Sequence, residues 1–175
     1  MPCRGELTDS YSPNEKVIRL SEKVYNSTSI AAVGIACHEA GHAAQHAEDY
    51  LPNKIRSALV PMTNFGSRFG LIIAFAGYFL AYFSNSPIGY YVIIAGLLLY
   101  GFVAVFQLVT LPVEFNASRR ALKVIDETGI LAGEECNAAK SVLTAAALTY
   151  VAALATAIVN LLYYASRLLG NSKRN

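Results

Sequence analysis

The sequence predicts a mainly α-helical membrane protein, with about three spans and a small N-terminal β-hairpin. Three observations carry that reading. Long apolar runs fill residues 88–113 and 141–165, and a shorter one fills residues 69–83. The composition is 54% hydrophobic and only 15% charged, with a mean hydropathy of +0.39, well away from an ordinary soluble domain. Ahead of these runs lies a polar stretch of alternating character, followed by an alanine-rich helical pattern.

Taken in order, the segment GELTDSYSPNEKVIRLS reads as the hairpin. LTDSY and KVIRLS alternate, and Ser12-Pro13-Asn14-Glu15 supplies turn residues between them. The second of these strands, residues 16–21, is expected to offer an edge for an extended peptide backbone. No signal-peptide pattern occurs in the polar first thirty residues. Asn26-Ser27-Thr28-Ser29 offers capping oxygens to a helix that begins near Ile30, is expected to run to about Tyr50, and stops before Pro52.

A bilayer core asks for about 20 apolar helical residues, so the second and third runs suffice. The first reaches that length only if its helix starts earlier, near Pro61; a buried core helix or a re-entrant segment is the alternative. The uncharged turn Ser84-Asn85-Ser86-Pro87 then reverses the chain. Whatever precedes the first span and follows the second is therefore expected on one face of the membrane. After the second span, Glu114 to Thr128 reads as a separate amphipathic helix ended by Gly129. The expected organisation is one domain over 1–175. It comprises the hairpin and motif helix (1–57), a membrane hairpin (58–113), a ligand helix (114–137) and a third membrane helix (138–170).

The formal charge of +2 is too small to argue for a nucleic-acid partner. It informs orientation instead. Lys54, Arg56, Arg68, Arg119, Arg120, Lys123 and Lys140 flank the spans on the motif side, whereas Arg167, Lys173 and Arg174 lie beyond the third, which favours a cytoplasmic motif. Cys3, Cys37 and Cys136 are odd in number and form no C-x-x-C pair, so a disulfide framework is not expected. Cys37 reads as core.

The chemistry concentrates in His38-Glu39-Ala40-Gly41-His42, an H-E-x-x-H string. Helical residues four apart bring their Cβ atoms to about 5–6 Å, so His38 and His42 can share one metal ion. Glu39 points about 100° away around the helix, too far to join the pair but placed to take a proton from a water activated beside the metal. The alternative is a helix that happens to carry two half-buried histidines. Gly34, Gly41 and Ala31 on the histidine face let another element approach closely, which argues against chance.

A third ligand must come from elsewhere. The metzincin pattern needs glycine at 45 and histidine at 48, but the chain has Gln45 and Glu48. His46 is offset from His38 by about 80° and reads as a flanking or substrate-contacting residue. Glu48 and Asp49 read as solvated. Glu114 is the better candidate, because the membrane hairpin returns it to the motif's side and Ala117, Ser118 and Ala121 beside it permit close packing. A glutamate complementing a helix N-terminus explains it equally well. No Gly-rich phosphate loop accompanies the motif, which argues against an ATP-driven protease, and a serine or cysteine nucleophile has no support.

The strings HEAGHAAQ at 38–45, RSALVP at 56–61, NFGSR at 64–68 and LPVEF at 111–115 closely resemble the YugP-like family of integral-membrane neutral zinc metallopeptidases. The likeness runs from about Gly5 to the C-terminus. It implies one Zn²⁺ per chain held by His38, His42 and Glu114, with Glu39 as catalytic base, as in membrane gluzincins of the HtpX type. It also implies a location in a prokaryotic cell membrane; family members usually carry a further N-terminal membrane helix, which this chain is expected to lack. Asn116 stands where the family pattern has Asp, and Ser118 where HtpX-type enzymes have a carboxylate. His46, Ser118 and Asn116 are thus candidates for supporting a ligand or contacting substrate.

The resulting expectation is a membrane-embedded zinc-dependent endopeptidase acting on peptide or protein substrates, membrane or misfolded proteins among them. The alternatives are a catalytically impaired or structural zinc-binding membrane protein, and a transporter or scaffold whose histidines line a polar pathway. No residue stands out as the oxyanion stabiliser, and the sequence assigns no oligomeric state.

Overall fold

The computed structural model describes residues 1–5, 8–84 and 87–172, with only the backbone described at 171 and 172. The expected turn at Asn85-Ser86, the start of the first hairpin strand at Leu7, and the basic residues Lys173 and Arg174 lie outside the described residues. The elements are β1 (Pro2–Cys3), β2 (Ser10–Ser12), β3 (Val17–Ser21), α1 (Glu22–Tyr25), α2 (Ile30–Ala47), α3 (Leu51–Ser84), α4 (Pro87–Thr128) and α5 (Glu134–Ser172). They divide into two compact units, Met1–Lys54 with Leu111–Thr149, and Ile55–Thr110 with Tyr150–Asn175.

In the first unit, β2 and β3 form the expected hairpin, antiparallel with Tyr11 opposite Ile18. Asp9 braces it, its Oδ1 accepting the Ser21 N–H at 2.7 Å. The sheet order is β1-β3-β2, because β1 adds in parallel along Leu20 and Ser21. This corrects the expectation that β3 offers an edge. Met1 to Cys3 already cover it, the Leu20 N–H donating to Met1 O at 2.9 Å, and β2 is left as an outer strand.

Of the four capping residues the sequence offers, Ser29 caps α2, its Oγ accepting the Ala32 N–H at 3.3 Å. The helix stops at Ala47, short of Tyr50. Asp49 takes a left-handed conformation (φ 58°), the Tyr50 N–H returns to Gln45 O at 2.9 Å, and the Asp49 N–H returns to His46 O at 3.3 Å. Those two bonds are the Schellman closure, with Asp in the place glycine usually takes. The core of this unit joins Ile125, Leu131 and Ala139 with the inner face of α2 at Ile30, Val33 and Cys37.

The second unit holds the most apolar parts of α3, α4 and α5, three helices long and apolar enough to cross a membrane. Small or medium residues point inward, with Ala74 and Ile93 fully buried, while Phe79, Leu98 and Val159 stand at 56, 68 and 63% exposure. A Cβ placed on Gly96 would lie 2.3 Å from the Ala74 nitrogen and 2.5 Å from Gly70 O, so α3 and α4 touch backbone to backbone there.

Helix boundaries differ from the expected ones. α3 begins at Leu51 and carries Pro61 inside it, and α5 begins at Glu134. No separate helix starts at Glu114; α4 runs unbroken from Pro87 to Thr128 through Pro112. Proline removes one donor and biases its predecessor away from helix, yet Pro112 does not interrupt α4. The apolar run before it and the amphipathic pattern after it are nonetheless one helix, closed past Thr128 by the Gly129 N–H on Ile125 O at 3.1 Å.

Gly96→Ala should lower the thermal stability of the detergent-solubilised protein by about 1–3 kcal/mol, since neither backbone can yield without parting the helices. Gly101→Ala, whose Cβ would meet only Leu161 at 3.8 Å, should leave the melting midpoint unchanged or raise it.

Candidate metal centre

Two helices build the site. The α2 helix contributes His38 and His42 one turn apart, their rings meeting edge to face with centroids 4.7 Å apart. From α4 comes Glu114, whose continuous helix removes the helix-terminus account of that glutamate. Glu114 is 2% exposed. Its Oε2 lies 3.2 Å from His38 Nε2 and 3.5 Å from His42 Nε2. One donor atom from each of the three residues falls within 4.8 Å of the others, a grouping that can hold a metal ion.

Such convergence requires the helix backbones to touch. Gly41 makes that possible, because a Cβ there would sit 2.7 Å from Ala117 O and 3.1 Å from Ala117 Cα. Ala117 and Ala121, both fully buried, keep the facing surface of α4 flat.

Hydrogen bonds behind the rings set which nitrogen faces Glu114. Gln45, with no exposed surface, donates through Nε2 to Val113 O at 2.7 Å and to Asn116 Oδ1 at 3.0 Å. Its Oε1 therefore faces His42 Nδ1, 3.0 Å away, and His42 must donate there. His38 Nδ1 meets Ser118 Oγ at 3.2 Å. With its Nδ1 committed as a donor, a neutral His42 turns the Nε2 lone pair toward a carboxylate. Two electron-rich groups in a buried site call for a cation between them, either a proton or a metal. The protonation of His42 answers in that sense. Burial alone would push it down, but Glu114, with Gln45 and Glu39, holds it above the usual imidazole value. Two neutral imidazoles and a carboxylate are a donor set that suits Zn²⁺.

Glu39 is 8% exposed and stands outside the three-residue group. Burial holds its carboxyl above the usual carboxylate range, against the pull of His42, His38 and the Tyr11 main-chain N–H, which hydrogen-bonds to it. A buried carboxyl raised in this way is suited to taking and returning a proton. β2 thus lies against the site. The Tyr11 hydroxyl also meets His46 Nδ1 at 2.8 Å, so His46 contacts the strand rather than joining the ligand group.

Asn116 Oδ1 accepts from Gln45 and from Arg120. Glu48 is exposed, as expected, and its carboxylate also accepts from the Arg120 guanidinium at 2.7 and 2.6 Å. The sequence reading passed over Gln45 and Arg120. Gln45 had a signal, standing three residues after His42 where a side chain can reach back along a helix. Arg120 had none, because its partners come from another helix.

The whole-chain comparisons agree with this chemistry. A family profile described as "Putative neutral zinc metallopeptidase" matches residues 1–168. A protein of Bacillus subtilis (strain 168), described as "Putative membrane protease YugP", is 42% identical over 174 residues, which cover 99% of this chain and 74% of that protein. No solved structure matches.

Gly41→Ala should separate α2 from α4 and weaken zinc binding by at least about tenfold, and Ser118→Ala, which leaves His38 Nδ1 without its partner, by about 10–100-fold. Competition against a chromophoric chelator measures both; parent-like affinity in Gly41→Ala would contradict the role given to that contact.

Proposed function

We propose, for a chain that belongs to the family of neutral zinc metallopeptidases, that it is a membrane-embedded zinc-dependent endopeptidase with His38, His42 and Glu114 as the zinc ligands and Glu39 as the catalytic base. One observation carries the reading. Two imidazole nitrogens and a buried carboxylate oxygen converge, and a second buried carboxyl with a raised proton affinity stands one residue along the same helix.

Zinc in that site would supply Lewis acidity, polarising a scissile carbonyl and making a neighbouring water easier to deprotonate. The chain's own residues supply the rest. Glu39 takes the proton from the attacking water and returns it to the departing amine, which its burial favours by keeping the protonated form accessible. The Tyr11 N–H steadies the Glu39 carboxylate between those transfers. Gln45 and Ser118 hold the two imidazoles so that each presents Nε2 inward. The site is buried among α2, α4 and the outer strand β2, so a peptide enters beside β2 with its backbone extended.

The three long apolar helices and the description of the Bacillus relative as a membrane protease support a place in the membrane. The basic residues flanking the spans on the motif side support a cytoplasmic-facing site. Peptides or proteins exposed at the membrane surface, misfolded membrane proteins among them, are the substrates this arrangement suits.

Glu39→Gln should retain about one zinc per chain while losing about 10²–10⁴-fold in peptide hydrolysis. His42→Ala and Glu114→Ala should lose the metal itself. Metal content per purified chain, read alongside cleavage of an unstructured protein, separates these outcomes. Full zinc occupancy in both ligand variants would remove the assignment.

A further inference from the structure

We infer that Arg120 and Asn116 are positioning residues that fix the direction of the hydrogen bonds reaching His42, with Glu48 as their anchor; the inference rests on the metal-centre reading above. The contacts form one continuous chain. Arg120 Nη1 and Nη2 donate to the two Glu48 oxygens at 2.7 and 2.6 Å, and Arg120 Nε donates to Asn116 Oδ1 at 2.8 Å. Asn116 Oδ1 takes a second donor, Gln45 Nε2, at 3.0 Å. Gln45 Oε1 then faces His42 Nδ1 at 3.0 Å.

The logic is directional. A guanidinium has donors and no acceptor, so it can meet Asn116 only at the amide oxygen. That orientation presents an oxygen to Gln45, which must answer with its NH₂ group. Its carbonyl is thereby left for His42, and the imidazole keeps its proton on Nδ1 and its lone pair on Nε2. The polarity of the far end is carried across three side chains to the atom that would meet the metal. Val113 O, the other acceptor for Gln45, reinforces the same sense.

Placement supports the role. Glu48 is the residue that caps α2, and Arg120 sits six residues beyond Glu114 on α4, so the clamp joins the two helices that carry the proposed ligands. The Glu48 and Arg120 side chains are 59% and 26% exposed, whereas Gln45 is fully buried. An ion pair so exposed contributes little to stability by its charge. What it supplies is orientation, and an outer hydrogen-bond partner of a ligating histidine governs about 10–100-fold in metal affinity.

The test uses the full chain in detergent micelles, with zinc affinity by chelator competition and thermal midpoint measured on the same samples. Asn116→Leu removes the acceptor, and Arg120→Lys keeps the charge beside Glu48 but loses the Nε donor. Both should bind zinc about 10–100-fold more weakly, by more than any fall in the midpoint accounts for. Asn116→Asp keeps an oxygen acceptor for both donors and should stay within about threefold of the parent. Parent-like affinity in Asn116→Leu and Arg120→Lys would overturn the inference, and so would Asn116→Asp binding as weakly as Asn116→Leu. Should Asn116→Leu fail to fold, Arg120→Lys decides alone. In either failure His42→Ala and Glu114→Ala would still be deficient in zinc. Parent-like zinc in those two variants would instead overturn the metal-centre reading, and this inference with it.

Discussion

A carboxylate with 2% exposure, facing two imidazoles, is the contact on which the rest of the site depends. Removing a charge from water is costly unless something of opposite sign or a set of donors receives it. The Gly41–Ala117 seam lets the helices approach closely enough for that pairing. The polar groups behind the rings decide which nitrogen is offered. Glu39, on the same helix and also buried, has its protonation set partly by the same three neighbours. Each of these features has little purpose without Glu114 in place.

Local features of this architecture were legible in the sequence. Ser29 as a cap, the pairing of residues 10–12 with 17–19, and the placement of His38 one turn from His42 all depend on neighbours within a few residues or across a short turn. Glu114 was legible through topology, as a residue that an out-and-back pair of apolar helices is expected to return to the motif, and through the resemblance carried by LPVEF at 111–115. The change from an apolar to an amphipathic pattern near Glu114 misled, since it marks a change of surroundings along one helix and not the start of another. The Arg120–Asn116–Gln45 chain was opaque for another reason. Its members become neighbours only once α2 and α4 meet in one register, and nothing in local propensity encodes that meeting. β3 as the central strand was hidden in the same way, because a strand as short as Pro2–Cys3 carries no periodicity of its own.

The two units follow different packing rules. In the unit that holds the site, apolar side chains such as Ile125 and Leu131 gather inside, and polar groups are satisfied by named partners. In the other, aromatic and branched residues face outward while glycine and alanine line the contact between α3 and α4. In a lipid surround, association of such helices would rely on close backbone fit rather than on the exclusion of water. A composition averaged over the whole chain blends these two regimes, which is why hydropathy alone identified the class of protein but not the boundary between its parts.

The unbroken course of α4 makes distance along the chain equivalent to an angle. Every residue added to a helix turns all that follows by about 100° and advances it by about 1.5 Å. Glu114, which must meet the histidines of α2, and Ile125, which must reach the core shared with Ile30 and Val33, are locked in phase by the segment between them. An insertion or deletion in that segment cannot be absorbed as it would be in a loop, for one of the two contacts must rotate out of place. Variation in chain length among descendants of this sequence is thereby steered toward the connections that lie outside the helices, such as residues 130–133.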